Sequence, residues 1–260
     1  MRLDLYLFKN GFTESRQKAK MLLDDALVCV NGKTVTKASF DVSENDEVKL
    51  LGKGLIYVGR GGLKLEGALH AFSYDPKGKI AMDVGASTGG FTDCLLQNGA
   101  VKVYAVDSGS DQLHPKLRTD ERVVCIENFN AKNLSQKVIP EPIELSVMDL
   151  SFISQVMIYP SLVNVLSEGA DVITLIKPQF EAGKSAVGKN GIVRDKKVHE
   201  AVLQKIVYEA QNYQLYCQKL AVSPITGGDG NIEYLALFSY QKKTTVPGKE
   251  EIHKLVFGEN

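Results

Sequence analysis

Between residues 79 and 176 five short apolar runs recur, at 79–84, 102–106, 123–126, 145–148 and 172–176, each too short for a helix and apolar enough to be buried. Amphipathic stretches near 90–98, 155–167 and 196–213 read as helices between and after them. Strands that alternate with helices pair in parallel through right-handed crossovers, so the pattern predicts a doubly wound α/β sheet. Two further runs, 220–222 and 234–238, are joined by Thr226-Gly-Gly-Asp-Gly-Asn231, a gap with no room for a helix. The last strand is therefore expected to be antiparallel.

The first 50 residues follow another pattern. Leu3, Leu5, Tyr6 and Phe8 ahead of Gly11 predict a short helix, and Thr13 is the expected cap of a second one from residue 15 to about residue 25. Ala19, Leu22, Leu23 and Ala26 share one face of that second helix. In Val28-Cys-Val-Asn31-Gly32-Lys-Thr-Val35, Asn-Gly between two β-rich runs signals a hairpin, because both residues tolerate the positive φ of a type I′ turn. Gly52, Gly54, Gly59, Gly61 and Gly62 then break the pattern. The expected plan is a small α+β domain at 1–52, a linker at 53–62, the α/β domain at 63–241 and a polar tail at 242–260 that frays.

Several function classes drop out. The chain carries 31 Lys plus Arg and 31 Asp plus Glu, so nucleic-acid binding would have to come from how the charges are placed. No apolar run approaches the roughly 20 residues of a membrane-spanning helix. The first ten residues lack the apolar core and cleavage site of a signal peptide, and the cytoplasm is the expected location. Cys29, Cys94, Cys125 and Cys217 form no C-x-x-C pair, and His70, His114, His199 and His253 fall in no acid–base pattern. No metal is expected.

The chemistry concentrates at strand ends. The first strand of the sheet runs into Asp83-Val-Gly85-Ala86-Ser87-Thr-Gly89-Gly90-Phe91, a glycine-rich turn that lets a ligand approach the backbone. The second strand ends on Asp107, where a carboxylate can take both hydroxyls of a ribose. A nucleoside-bearing cofactor is the expected ligand.

This strand–turn–helix resembles the first motif of class I methyltransferases that use S-adenosylmethionine. The likeness extends to Met148-Asp149-Leu-Ser-Phe-Ile, to Leu175-Ile-Lys177-Pro-Gln-Phe180-Glu, to Arg60-Gly-Gly-Leu-Lys64-Leu-Glu-Gly-Ala-Leu69 and to Gly230-Asn-Ile-Glu233-Tyr. Together these resemble the Lys-Asp-Lys-Glu tetrad of FtsJ-type RNA 2′-O-methyltransferases. The stretches 177–183, Val187-Gly-Lys-Asn-Gly-Ile-Val-Arg-Asp195 and 223–234 are similar to the TlyA family, named haemolysin A in many cases, over about residues 1–240. Arg2-Leu-Asp, Ser15-Arg16 and Val30-Asn-Gly resemble the RNA-binding module first seen in ribosomal small-subunit protein four. The turn Ser108-Gly-Ser-Asp111 is more polar than the resemblance leads one to expect.

The resemblance implies a class I methyltransferase sheet and 2′-O-methylation of cytidine in ribosomal RNA of assembled subunits, with capreomycin sensitivity as a consequence. Lys64, Asp149, Lys177 and Glu233 would be catalytic. S-adenosylmethionine would be held by Asp83, Gly85, Ala86, Ser87, Gly89, Gly90, Phe91, Asp107 and Asp149. Arg2, Arg16, Lys18, Lys20, Lys33, Lys37 and Arg60 would contact RNA. The sequence leaves open whether Lys177 acts as base or only orients the hydroxyl, and whether the protein is a monomer or a dimer. The competing classes are a non-catalytic ribosome assembly factor and a membrane-acting haemolysin; the second needs a membrane-inserting element that the sequence does not display.

Overall fold

The computed structural model describes residues 1–260 except 14, 25–26, 44, 51–56, 189–190, 228–229, 244–245 and 259–260. Ala26, Gly52, Gly54 and part of the 187–195 stretch thus lie outside the described residues. The chain forms two compact units, Met1–Arg60 and Gly61–Asn260.

In the first unit α1 (Leu3–Lys9) and α2 (Arg16–Asp24) accompany a three-stranded antiparallel sheet of order β2-β1-β3, with β1 at Val28–Val30, β2 at Lys33–Thr34 and β3 at Val48–Leu50. Leu3, Leu7, Ala19, Leu23, Val28, Val30 and Val42 form its core. Asn31 and Gly32 take φ of 51° and 78°, as the hairpin turn requires. The cap of α2 differs from expectation. Ser15, directly ahead of Arg16, is the cap: its Oγ accepts the Lys18 backbone N–H at 3.1 Å, whereas the Thr13 hydroxyl donates to the Ser15 carbonyl.

The second unit runs α3 (Gly61–Phe72), β4 (Ile80–Val84), α4 (Gly90–Gln97), β5 (Lys102–Val106), α5 (Pro115–Arg118), β6 (Val123–Ile126), β7 (Ile143–Met148), α6 (Tyr159–Leu162), β8 (Leu166–Ile176), α7 (Pro178–Glu181), α8 (Lys196–Gln211), β9 (Leu215–Val222), β10 (Tyr234–Tyr240) and α9 (Lys249–Phe257). Its seven strands lie in the order β6-β5-β4-β7-β8-β10-β9. Strands β4 to β8 pair in parallel, and β10 is antiparallel to both β8 and β9. From β4 the chain winds outward through β5 and β6, then returns to the other side of β4 with β7. That reversal opens a crevice at the carboxyl ends of β4 and β7, where doubly wound sheets bind ligands.

Two expectations are corrected. The helix expected at 155–167 is a 3₁₀ turn at Gln155–Met157 followed by the single turn of α6, because Leu166 already pairs with Ile143 as strand. The tail expected to fray contains α9, whose Ile252 and Val256, one turn apart, are buried in the main core, and Gly258 closes the helix at φ 74°.

Candidate active site

Gly85 follows β4 at φ 86°, and a Cβ there would stand 2.8 Å from the Asp149 carbonyl oxygen, so the turn admits only glycine if β7 is to close on it. Gly89 begins α4 at φ 94°, where a Cβ would strike Leu117 at 2.3 Å. Beneath the turn, Asp83 is wholly buried and its Oδ2 accepts the Thr92 N–H at 2.9 Å and the Thr92 hydroxyl at 2.7 Å. Among the described residues its Oδ1 has no hydrogen-bond partner. Burial, opposed by the Thr92 bonds and reinforced by the charge of Asp149, pushes the Asp83 carboxyl up to about 7.

Asp107 closes β5 and spends one oxygen on each side: Oδ2 accepts the Ser87 N–H at 2.8 Å, Oδ1 the Gly109 N–H at 2.7 Å. The polar turn after it is ordered by Glu127, which accepts the N–H groups of Asp111, Gln112 and Leu113. The Arg118 guanidinium and those backbone donors hold Glu127 down at about 2. A cavity of about 500 Å³ opens here, lined among others by Gly85, Ser87, Asp107, Phe129 and Asp149. A smaller cleft of about 120 Å³ beside it is walled by Ala86, Gly90, Phe91 and again Asp149. Of the residues expected to hold a cofactor, Asp83 and Gly89 line neither space; they set the turn from below. A cavity of this size, with the glycine turn as its cradle and the Asp107 and Asp149 carboxylates on its wall, fits S-adenosylmethionine.

The four expected catalytic residues form two ion pairs. Lys177 Nζ lies 2.6 Å from Asp149 Oδ1 and donates to Ser151 Oγ at 3.1 Å, with the Phe180 ring centroid 5.7 Å away. Lys64, on α3, lies 2.6 Å from Glu233 Oε2, and Gln179 Nε2 donates to Glu233 Oε1 at 3.1 Å. The register that sets Tyr234 opposite Ile176 brings Glu233 level with Lys177, so both pairs stand at one edge of the sheet. Gln179, Ser151 and Thr92 were missed by sequence reasoning. The first two lie inside the stretches around Lys177 and Asp149, yet nothing in residue type alone marks them. Phe152 is also unforeseen: it is 91% exposed at φ 64°, its ring 4.9 Å from that of Phe180.

In the first unit the buried Asp4 receives both Arg2 (Nε to Oδ1, 3.0 Å) and Arg16 (Nη2 to Oδ2, 2.7 Å). The Arg2 hydrogen bond, with Arg16 adding to it, holds Asp4 down at about 2. Lys18, Lys20, Lys33 and Lys37 are exposed, and Arg60 is half-buried. Among the described residues no cluster of His, Cys, Asp and Glu could hold a metal, and no helix is long and apolar enough to cross a membrane.

Known proteins align with this architecture. The FtsJ-like methyltransferase model matches residues 57–240 and the S4 domain model residues 1–48. Over 259 residues the chain is 36% identical to the 16S/23S rRNA (cytidine-2′-O)-methyltransferase TlyA of Mycobacterium tuberculosis, covering 98% of this chain and 97% of that one. It is 44% identical over 239 residues to Hemolysin A of Brachyspira hyodysenteriae, covering 92% and 99%. A solved structure, described as a hemolysin, from Streptococcus thermophilus superposes with a TM-score of 0.80 at 41% identity, covering 99% of this chain and 94% of that one. An S-adenosylmethionine-dependent methyltransferase structure from Listeria monocytogenes, at 13% identity and TM-score 0.51 over 69% of this chain and 100% of that one, shares the fold alone.

Sheet order, glycine turn and family match together define an S-adenosylmethionine-dependent methyltransferase. The chain belongs to the TlyA family, in which an S4 domain precedes an FtsJ-like methyltransferase domain.

Proposed function

We propose that the protein methylates the 2′-hydroxyl of cytidine in ribosomal RNA, acting on assembled ribosomal subunits in the cytoplasm. The observation that carries this reading is the Lys177–Asp149 pair at 2.6 Å, with Asp149 lining the cavity suited to the cofactor. The name of the relative in Mycobacterium tuberculosis, a (cytidine-2′-O)-methyltransferase, supports the choice of nucleotide.

A ribose hydroxyl is a poor nucleophile, and S-adenosylmethionine, when bound, supplies a methyl carbon already activated by its sulfonium. The protein must then align the hydroxyl and remove its proton. Alignment can contribute about 7–11 kcal/mol, more than the roughly 10²–10⁴-fold of a positioned base. As an ammonium Lys177 has three N–H donors. One is spent on Ser151, and Asp149 Oδ1 stands beside the ammonium as an ion-pair partner, so the remaining donors can orient the incoming oxygen and stabilise its developing charge. Asp149 is the neighbouring acceptor for the proton. Lys64 and Glu233 complete the tetrad, with Glu233 holding Gln179 beside Lys177. Asp107 would take the ribose of the cofactor and the 85–91 turn its methionyl end.

Residues 1–52 are the proposed RNA-binding domain and 63–241 the methyltransferase domain, with 53–62 as linker and 242–260 as tail. Arg2, Arg16, Lys18, Lys20, Lys33, Lys37 and Arg60 would grip phosphates and position a folded RNA. Loss of the enzyme would then confer resistance to capreomycin.

The test is transfer of labelled methyl from S-adenosylmethionine to separated small and large ribosomal subunits lacking the modification, with Lys177→Ala as control. Label that depends on Lys177 and maps to a cytidine ribose is the expected result. A cofactor that binds without transfer to either subunit would refute the ribosomal substrate, and no cofactor binding would refute the enzyme.

A further inference from the structure

Asp149 and Lys177 sit on the loops that leave β7 and β8, and the first of these loops is strained. Phe152 holds φ 64°, a left-handed conformation that a bulky residue keeps only where its surroundings impose it. One residue earlier, Ser151 places its Oγ 3.1 Å from Lys177 Nζ. Something must hold this loop against the lysine.

The residue placed to do so is Glu181, the last of α7 and 7% exposed. Its Oε2 accepts the Ser154 hydroxyl at 2.6 Å and its Oε1 the Gln155 N–H at 2.9 Å. The Gln155 side-chain carbonyl in turn accepts the Thr174 hydroxyl of β8 at 3.0 Å. From the other side Lys205 of α8 donates to the Glu181 carbonyl at 3.3 Å. Each carboxylate oxygen is therefore spent inside the protein, on the far end of the loop that begins at Asp149. We infer that Glu181 is a positioning residue for methyl transfer: its buried carboxylate ties the Asp149 loop to the Lys177 loop and so sets Ser151 on Lys177. This rests on the methyltransferase reading above.

The tie makes a specific demand on replacements. Both partners of Glu181 donate in the structure, but a serine hydroxyl can turn and accept. Glutamine thus keeps both bonds, its amide oxygen taking the Gln155 N–H and its amide nitrogen donating to Ser154, whereas alanine keeps neither. In single-turnover methylation of ribosomal subunits, Glu181→Ala should slow transfer by about 10- to 100-fold, the cost of a misplacement on the ångström scale. Affinity for S-adenosylmethionine and for the subunit should stay within about 2-fold, and Glu181→Gln should recover most of the rate. A group that acted through its own charge would not be rescued by glutamine. Ser154→Ala, which removes one bond only and leaves the buried carboxylate in place, gives a milder fall of the same kind should Glu181→Ala not fold.

Amide hydrogen exchange over residues 150–155, read on the full chain without RNA, should accelerate in Glu181→Ala and Ser154→Ala and not in Glu181→Gln. It decides the tie whether or not ribosomal subunits are substrates, so the two readings fail separately. An unchanged rate in Glu181→Ala, a glutamine variant as slow as alanine, a loss confined to substrate affinity, or unchanged exchange would each overturn the inference.

Discussion

Lys64–Glu233 and Lys177–Asp149 are the same chemical pair at the same 2.6 Å, yet their surroundings differ. The first is sealed, with side chains 7% and 3% exposed and the second Glu233 oxygen taken by Gln179. The second keeps Asp149 21% exposed on the wall of the cavity. A sealed pair has lost its hydration and holds only while each charge keeps its partner. A pair beside a cavity can exchange a partner for a substrate. The likeness to a four-residue tetrad therefore hides a division, one half built into the frame between α3 and β10, the other poised where the reaction would take place.

The sharpest way to break this division is Lys177→Ala. It should cut single-turnover transfer by about 10³- to 10⁴-fold, the loss of a donor aimed at developing charge together with its alignment. The melting temperature should move little, since Asp149 regains water; a collapse in stability would instead make this pair part of the frame. Lys64→Met should behave in the opposite way, stranding Glu233 and costing about 3–5 kcal/mol in denaturant unfolding. Lys64→Met combined with Glu233→Leu should recover most of that stability, because two apolar side chains need no partners. Its transfer rate should nonetheless stay low, as Gln179 loses the acceptor that fixes the turn after Lys177. Full recovery of the rate would assign Lys64 and Glu233 to scaffolding alone.

The open pair also reaches Asp83, whose carboxyl is pushed up to about 7 by burial and in part by the charge of Asp149. A carboxyl raised above its unfolded value near 4 contributes stability below that value and loses it as pH rises through about 7. The cofactor-free protein should accordingly weaken between pH 5 and 8 by roughly 3 kcal/mol through this group. Asp83→Asn keeps an acceptor for Thr92 and removes the charge, so its melting temperature should fall less over the same range. Parallel curves for the two proteins would show that Asp83 is ionised throughout.

What could be read from the sequence divides along similar lines. The β4 strand was legible because Ala81, Met82 and Val84 are apolar and buried, which announces a strand locally even with Asp83 among them. The glycine turn and Asp107 were legible because close approach needs glycine and because the two lie a fixed distance apart along the chain. Glu233 and Lys64, 169 residues apart, could be joined only through family likeness, since their meeting depends on the β8–β10 register. Glu181 and Gln179 carried no signal of their own: their partners are set by loop conformations, and that of Phe152 runs against local preference. The tail failed for a different reason. Ile252 and Val256 do share a helix face, but two apolar residues in a charged stretch are weak evidence until α8 is there to receive them.

The first unit offers the smallest and most selective test, because its ionic node inverts the proportions of the other two. One fully buried carboxylate, Asp4, serves two guanidiniums that are each about half exposed, at 50% for Arg2 and 49% for Arg16. The node keeps one positive charge in excess, and Asp4, held down at about 2, stays ionised at any working pH. Arg16 also ties α2 to α1, so its substitution acts on both structure and charge, whereas Arg2 bonds within its own segment. If these arginines meet phosphates, Arg2→Ala should weaken binding to ribosomal subunits evenly across sequences and lower the slope of log affinity against log salt by about 1. Arg16→Ala should do the same and also lower the melting temperature. Transfer at saturating subunit should be unchanged in both, since neither residue belongs to the proposed active site. An unchanged salt slope would leave Asp4, Arg2 and Arg16 as a fastening within the first unit, and would move the phosphate contacts to Lys18, Lys20, Lys33 and Lys37.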